Sequence, residues 1–530
     1  MKYVIGFGCI PSPVLIMRGS LILNKPIFNS KNIFFICSSI FFAILILHML
    51  KMETKRCMGI PFITEAEIQQ IAYYPIELDN IIFLEDYQVP YDLDSRTIYL
   101  TCDLKNSDKF YQLDGQLRSI LPEYNLYFLW QEGFNHLRDA IANGETFTIF
   151  AINDEGNFGS FCVNFTTLPV IEMHGEVITI DEQEREIYSG EITVWDPSYA
   201  GTGKLYVQNS RLEWHVRGFS SLSALKKSLK LNLKEKNGKK NDLALLNFDS
   251  DDDYILNPMW FDDVKVREKL AMDLWNQMAD QKGSSLKMSG GEYCELITNG
   301  DYEGLRVLQN KIEKSYLQLD SDDILLKGKN VNVGTAKPPT EVYEVIYSTQ
   351  DEQTTFQTIS DFFYMKDFSN VNLNSWIDFQ LFLQLGNMID NESYKNVYYV
   401  IQREEDKESL SFVPWDTDMS FGIYWKDGFN LLPESVENIS HRMEYEELQS
   451  QYSQIDEMLA KRWKELRQTI FSENNIYDKL SSYYEVLDQS GAVKRDFDVL
   501  GWYSWGYEDT REGIYDYIQK RLDVLDNKYL

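Results

Sequence analysis

Two strand-like runs separated by a short charged segment constrain the fold of this chain more than any other feature. Residues 397–402 (Val-Tyr-Tyr-Val-Ile-Gln) are β-branched and aromatic, and residues 410–415 return as a second run, a pattern that predicts a β-hairpin. If the turn is centred near Asp406, Asn396 and Asp416 face each other across the open end, with Cβ atoms about 5 Å apart. An amide oxygen and a carboxylate at that separation can share one divalent cation, which prefers hard oxygen ligands.

Two further carboxylates flank this hairpin. Asp390 precedes it and could accept a proton from an acceptor hydroxyl, while Asp418 follows Asp416 by two residues and could support the cation. A base, an Asn, a hairpin and a metal-binding Asp occur in this order in protein kinases. We therefore predict Asp390 as the base and Asn396, Asp416 and Asp418 as metal ligands. The plainer alternative is that these carboxylates only cap helix ends and turns.

Several segments of the chain resemble motifs of the CotH kinase family, the spore coat protein H-like atypical protein kinases. The resemblance covers roughly residues 165–530. In chain order the matching segments are 217–221 (Arg-Gly-Phe-Ser-Ser), 226–230 (Lys-Lys-Ser-Leu-Lys), 266–274 (Val-Arg-Glu-Lys-Leu-Ala-Met-Asp-Leu), 295–305 (Glu-Leu-Ile-Thr-Asn-Gly-Asp-Tyr-Glu-Gly-Leu), 387–391 (Asn-Met-Ile-Asp-Asn), 395–399 (Lys-Asn-Val-Tyr-Tyr) and 414–422 (Pro-Trp-Asp-Thr-Asp-Met-Ser-Phe-Gly). The resemblance implies an α+β, bilobal atypical protein-kinase-like fold, ATP as the phosphoryl donor and Mg²⁺ or Mn²⁺ as cofactor.

The candidates for binding the nucleotide phosphates lie in the first two of these segments. Lys227 directly precedes a strand-like run, and we favour it over Lys226, which should point to the opposite face of an extended strand. Arg217 opens a Gly-containing turn in which Ser220 and Ser221 could offer backbone N–H groups or hydroxyls to phosphate. The alternative for both lysines is a solvated basic patch.

One position departs from the family pattern. Members usually carry a Glu shortly after the Gly-Leu strand, whereas residues 309–312 here read Gln-Asn-Lys-Ile and put Asn310 at that place, with Glu313 three residues further on. If that Glu is a metal or lysine partner, activity could be reduced. This departure favours the alternative of a pseudokinase, or a structural surface protein that uses the same fold for binding.

The net charge of −31 argues against nucleic acid as a partner. The five His and six Cys residues show neither paired histidines nor Cys-x-x-Cys spacing, which makes a zinc site improbable. A disulfide between Cys102 and Cys162 and a pair of free thiols are both compatible with the sequence. A glycosidase built on Asp416 and a second carboxylate is a remote alternative.

The chain divides into successive segments. We predict a tail at 1–31, a single membrane-spanning signal anchor at 32–50, a linker at 51–72, a small antiparallel β domain at 73–165, and a kinase domain at 166–530 with lobes at about 166–345 and 346–530. The anchor would place the protein in the cell membrane, with the bulk of the chain outside the cytoplasm. Helical spacing further predicts helices at 264–281, 375–389, 443–471, 476–487 and 511–526, and residues 320–339 read as loop-rich.

Together these observations predict a membrane-anchored, metal-dependent kinase. Its acceptors would be Ser or Thr hydroxyls of the chain itself or of a protein on the cell or spore surface.

Overall fold

The structure is a computed structural model that describes part of the chain. The described residues are 56–104, 113, 115–176, 186–197, 205–218, 222, 224–329, 339–391, 395–404, 407–423, 432–433, 445–500 and 510–530. Residues 57–530 belong to one compact unit. No helix in the described part of the chain is long and apolar enough to cross a membrane. The predicted anchor at 32–50, Ser220 and Ser221 lie outside the described residues.

Eleven short strands come first and form what we call the N-terminal module, residues 56–166. They are β1 (Arg56–Cys57), β2 (Ile60–Ile63), β3 (Tyr74–Pro75), β4 (Ile82–Leu84), β5 (Tyr87–Gln88), β6 (Tyr91–Asp92), β7 (Thr97–Thr101), β8 (Leu117–Ser119), β9 (Tyr124–Leu129), β10 (Thr146–Asn153) and β11 (Asn157–Thr166). The main sheet runs in the order β2-β9-β10-β11-β7-β6, and β5-β4-β8 form a smaller sheet. Two helices accompany them, α1 (Glu65–Ile71) and α2 (Leu137–Ala142), with a 3₁₀ turn at Glu132–Asn135.

The module differs from the predicted β domain in two respects. Residues 56–71, expected to be linker, form two strands and α1, which begins with a capping box between Thr64 and Glu67. The sheet is also mixed rather than antiparallel, because β7 lies parallel to β11 and β2 lies parallel to β9. The alternation of apolar residues fixes which face of a strand is buried but not the direction of its neighbour.

The register of the parallel pair also decides the cysteine alternatives. Cys162 lies opposite Thr97, and the backbone N–H of Cys102 donates to the carbonyl of Thr166. The two cysteines are therefore about five residues apart along neighbouring strands, roughly 16 Å, which is too far for a disulfide. Both are free thiols.

The next seven strands close into a barrel. They are β12 (Val170–Gly175), β13 (Tyr188–Asp196), β14 (Tyr206–Arg217), β15 (Ser228–Lys234), β16 (Asp253–Asn257), β17 (Gly291–Thr298) and β18 (Asp301–Asn310), adjacent in the order β12-β13-β14-β15-β16-β18-β17. The predicted Asn299-Gly300 turn joins β17 to β18, and both residues have positive φ, as a two-residue type I′ hairpin turn requires. A buried cluster that includes Trp214, Leu231 and Leu296 fills the interior.

A second sheet and a set of helices complete the chain. The strands are β19 (Ile324–Gly328), β20 (Tyr343–Tyr347), β21 (Val397–Glu404) and β22 (Lys407–Pro414), in the order β20-β19-β21-β22. The helices are α3 (Arg267–Lys282), α4 (Pro339–Val342), α5 (Glu352–Ser360), α6 (Leu373–Gly386), α7 (Tyr445–Gln451), α8 (Ile455–Arg467), α9 (Glu473–Ser490), α10 (Ala492–Leu500) and α11 (Arg511–Tyr529), with a π-helical turn at Asp361–Met365 and a 3₁₀ turn at Ile389–Asn391.

The largest hydrophobic core joins α3, the second sheet and the C-terminal helices. Trp275 of α3 packs edge-on against Phe379 and Phe382 of α6, and Phe379 contacts Phe412 of β22. This core holds α3 against the β21–β22 hairpin, so the end of the barrel and the open end of the hairpin meet around one cavity.

Candidate active site

A cavity of about 380 Å³ lies where the barrel, α3 and the open end of the β21–β22 hairpin meet. Charged side chains of both signs line it. We define the acidic group as Glu268, Asp390, Asp416 and Asp418, and the cationic group as Arg217, Lys226 and Lys265; all of these residues line the cavity. Asp262, Lys269 and Lys395 also contribute to the wall. The structure thus brings residues separated by up to about two hundred positions into one site.

The hairpin itself has the predicted strands. Its register pairs Val397 with Pro414, and the N–H of Trp415 donates to the carbonyl of Asn396 at 2.9 Å. Asn396 therefore lies opposite Trp415, and Asp416, its predicted partner, lies one position further along the chain. The difference arises because the register pairs Glu404 with Lys407, whereas a turn centred on Asp406 would have paired residue 404 with residue 408.

Asp390 is held by two neighbours at the start of the hairpin. The Nδ2 of Asn396 donates to Asp390 Oδ2 at 2.6 Å, and Lys395 Nζ lies 3.1 Å from the same oxygen. The amide nitrogen of Asn396 thus orients the predicted base, and Asn396 is not among the residues that line the cavity. Asn391 is fully buried and its Nδ2 donates to the carbonyls of Asn396 and Trp415 at 2.9 and 2.7 Å, which joins the two strand ends.

Three non-glycine residues that flank the β21–β22 hairpin adopt left-handed backbone conformations. Asn396 has φ 59°, Asp416 has φ 55° and Phe421 has φ 49°. Asn and Asp tolerate this region better than other residues, whereas Phe is strained there. The strained residue is anchored on both sides, since its N–H donates to the carbonyl of Gly386 at 2.7 Å and its carbonyl accepts from Arg267 Nε at 3.3 Å.

The acidic group is electrostatically unfavourable as it stands. Burial, followed by the charges of Asp416, Glu268 and Asp390, raises the pKa of Asp418 well above its usual value. Burial and then Asp416 raise the pKa of Glu268 to about 7. The side-chain amides of Asn257 and Gln309 donate to Glu268 at 2.5 and 3.4 Å, and these hydrogen bonds oppose the rise in its pKa. The neighbouring carboxylates thus add to the effect of burial on Asp418 and Glu268, and a bound cation would offset their charge.

The acidic group has the kind of donor atoms that a divalent cation binds. These donors are carboxylate oxygens, the ligand type that Mg²⁺ and Mn²⁺ prefer, and the charges of Asp416, Glu268 and Asp390 add to burial in raising the pKa of Asp418. Within the described ranges, no three His, Cys, Asp or Glu side chains are already gathered around one point. Asp416 and Asp418 fit the cation by donor type and charge.

The two adjacent lysines differ in their surroundings. Lys226 lines the cavity and is 3% exposed; its Nζ lies 2.6 Å from Asp496 Oδ1 and also donates to the carbonyl of Leu305. Lys227 donates to the carbonyl of Leu222 and does not line the cavity. The structure therefore places Lys226, rather than the favoured Lys227, at the cavity. Ser228 lines the cavity too, and residues two apart on an extended strand share a face.

Arg217 reaches the same cavity from the end of β14. Its guanidinium carbon lies 5.2 Å from the ring centroid of Trp415, and Lys327 Nζ lies 5.2 Å from that ring as well. Among the residues that the structure describes, Arg217 forms no salt bridge within 4 Å. An Arg stacked on an aromatic face keeps its N–H groups available, so this cation can bind an anion.

The departure at Asn310 lies away from the cavity. Asn310 is 6% exposed, and its Oδ1 accepts from the N–H of Gly290 at 2.7 Å. Its neighbour Gln309 points the other way along β18 and lines the cavity. Glu313 pairs with Lys311 at 3.3 Å and is not part of the lining.

Sequence reasoning missed two of the charged residues that matter here. Glu268 lies on the predicted helix 264–281, but only the tertiary fold shows that it is buried beside Asp416. Asp496 lies on α10, a helix that the sequence did not predict. A buried Glu at the start of a helix has no sequence signal that separates it from a solvated one.

A family model described as CotH kinase protein matches residues 214–525, more than half of the chain. A comparison with curated proteins gives no match. The matched range contains the barrel from β15 onward, the cavity-lining residues from Arg217 to Met419 and the C-terminal helices. The chain therefore belongs to the CotH kinase family.

Proposed function

We propose that this chain is a metal-dependent atypical protein kinase with a bilobal fold. It would transfer the γ-phosphate of ATP to a Ser or Thr hydroxyl. The observation that carries this proposal is the meeting of Asp390, Asp416 and Asp418 with Arg217 and Lys226 in one cavity. Phosphoryl transfer depends mainly on positioning and on neutralising charge, and the cavity supplies groups for both.

The donor would bind with its phosphates toward the cationic group. Arg217 is the strongest candidate for direct contact, because its guanidinium is held on Trp415 and suits bidentate binding of a phosphate. The lining also contains the apolar residues Met259, Trp260, Met272 and Val307. These residues suit a nucleobase, since small-molecule sites usually combine an apolar surface with a few polar groups.

Asp416 and Asp418 would hold the divalent cation. Mg²⁺ is typically bound by one or two carboxylates together with substrate phosphates and water, so two protein carboxylates are enough. A cation bound there would neutralise the charge that develops on the transferred phosphoryl group. Glu268 adds negative charge nearby and would strengthen the attraction for the cation.

Asp390 would accept the proton of the acceptor hydroxyl. Its carboxylate is fixed by the Nδ2 of Asn396 at 2.6 Å and by Lys395 at 3.1 Å. Asn396 would thus act by orienting Asp390, which revises its predicted role as a metal ligand.

The acceptor hydroxyl and the cellular location are inferred from the family and from the sequence rather than from the cavity. The family resemblance suggests Ser or Thr residues of the chain itself or of a cell-surface or spore-surface protein. The apolar run at 32–50 supports attachment to a membrane.

Incubation of the full-length chain with γ-labelled ATP and Mg²⁺ or Mn²⁺ tests the proposal. Label should appear on the protein, or on an added casein-type acceptor, and should be absent with Asp416→Asn. Nucleotide binding without any transfer would support the alternative of a pseudokinase. Failure of the native chain to bind nucleotide at all would refute the proposed function.

A further inference from the structure

The cavity lysine is held by a residue from the far end of the chain. Lys226 and Asp496 are 270 positions apart, yet Lys226 Nζ lies 2.6 Å from Asp496 Oδ1. The same oxygen accepts from the N–H of Leu305 at 2.9 Å, and Oδ2 lies 3.8 Å from Lys265 Nζ. Asp496 is 5% exposed, so it has little contact with solvent and is satisfied by these partners.

A second buried pair fixes the helix that carries this residue. Arg495 binds Glu295 of β17 through two hydrogen bonds of 2.9 and 2.6 Å. Glu295 is fully buried and also accepts from the hydroxyl of Tyr302. Adjacent residues of α10 therefore contact two different barrel strands, which fixes the position of the helix against the barrel.

We propose that Asp496 is a positioning residue for the donor site: it holds the Lys226 ammonium at the cavity, so that α10 is a required part of the site that binds the donor phosphates. This inference rests on the proposed function, because it assumes that Lys226 contacts a nucleotide. It assigns to a C-terminal helix a role that neither the family match nor the sequence motifs indicate.

The electrostatics around Lys226 give the inference a measurable consequence. The charged groups that face Lys226 are Asp496 on α10, Arg306 on β18 and Lys265 in the segment before α3. Burial lowers the pKa of Lys226 to about 7, and Asp496 opposes that shift. Removing the charge of Asp496 would lower the pKa further, so less of the lysine would be cationic at neutral pH and phosphate would be held less tightly.

The test is calorimetric titration of the full-length chain with ATP and Mg²⁺ from pH 6 to pH 9. The native affinity should weaken as pH rises through about 7. Asp496→Asn should bind ATP about 10-fold more weakly at pH 7, with its pH midpoint moved lower. Asp496→Glu retains the charge and should keep the native midpoint.

Asp498→Asn is the matched control. Asp498 lies two residues further on the same helix, where it is exposed and pairs with Lys494 at 2.7 Å. Its substitution should leave both affinity and midpoint unchanged. If Asp496 only stabilises the fold, Asp496→Asn should lower the melting temperature but leave the pH midpoint of ATP binding unchanged.

An unchanged affinity and midpoint in Asp496→Asn would overturn the inference. If that variant does not fold, Asp496→Glu decides, because a shifted midpoint despite the retained charge would also overturn it. Absence of nucleotide binding by the native chain is a different result, since it refutes the proposed function itself.

Discussion

The cavity contains two groups of charged side chains that are built in different ways. Most of the acidic group comes from one short stretch, residues 390–418, around a single hairpin. The cationic group comes from the end of β14, the residues just before β15 and the segment before α3. Its central lysine depends on Asp496, which is 270 positions away.

The two groups also differ in how their charge is balanced. In the acidic group, burial and then the charges of Asp416, Glu268 and Asp390 raise the pKa of Asp418. Lys226, by contrast, already has a carboxylate partner at 2.6 Å, and Arg217 is stacked on Trp415. Under the proposed function, a divalent cation would balance the acidic group, and the phosphates of the nucleotide bound with it would contact the cationic group.

The largest effect should come from Asp416→Asn. This substitution removes one negative charge while keeping a side chain that tolerates the left-handed backbone at φ 55°. We expect label transfer to fall by at least about 100-fold, as for the loss of one strong electrostatic contact in a transition state. Initial rates with γ-labelled ATP measure this.

Asp301→Asn provides the charge-matched control, because Asp301 is exposed at the β17–β18 turn and does not line the cavity. Its transfer rate should equal the native rate. Comparable losses in both variants would show that the acidic group has no special role.

Asp390→Asn should slow transfer without weakening the donor complex. General-base catalysis typically contributes about 100-fold or more, so kcat should drop by about that factor while the dissociation constant for ATP stays within about twofold. Rapid-quench kinetics together with calorimetry separate the two quantities. A loss confined to ATP affinity would argue against the assignment of Asp390 as the base.

Arg217→Met and Lys227→Met form a pair that tests the cationic group. The first removes a cation that lines the cavity, and we expect the ATP dissociation constant to rise about 10-fold, the cost of one charge-assisted hydrogen bond. The second removes an ammonium that binds the Leu222 carbonyl outside the lining, and binding should change by less than about twofold. The reverse order would favour Lys227 as the phosphate ligand.

Glu268→Gln should have the smallest effect, on stability rather than on activity. The folded-state pKa of Glu268 is about 7, raised from 4.5, so the native chain loses stability as pH rises from about 4.5 to about 7. Glutamine cannot ionise and removes that loss. Without added metal, the variant should melt at a temperature similar to the native chain near pH 4.5 and about 1–2 °C higher above pH 7.

A melting difference that does not grow across this pH window would contradict the buried environment of Glu268. Scanning calorimetry of both proteins in the presence of a chelator provides the measurement.

The contrast between the two groups explains what could be predicted from the sequence. The hairpin and the three aspartates Asp390, Asp416 and Asp418 follow from local patterns, because residues near one turn must meet in space. Asp416 was predicted to lie opposite Asn396 but lies one position further on, because the charged residues at 403–409 do not define where the turn is centred. Helices with clear spacing, such as α9 and α11, agree with prediction within a few residues.

Features that depend on distant contacts were harder to predict. The choice between Lys226 and Lys227 requires knowing which face of β15 meets the cavity, and Asp496 requires knowing that α10 packs on the barrel. Residues 320–339 read as loop-rich but contain β19, which is buried between β20 and β21. The helix predicted at 443–471 is interrupted after Gln451, where the apolar spacing continues although the helix ends.

The most direct test of the central claim is calorimetric titration of ATP into the full-length native chain and Asp416→Asn, each with and without Mg²⁺. We predict that Mg²⁺ tightens ATP binding to the native chain and has no such effect on the variant, because Asp416 would join the metal to the nucleotide site. Equal ATP affinity with and without Mg²⁺ in the native chain, or an unchanged Mg²⁺ effect in Asp416→Asn, would contradict the account.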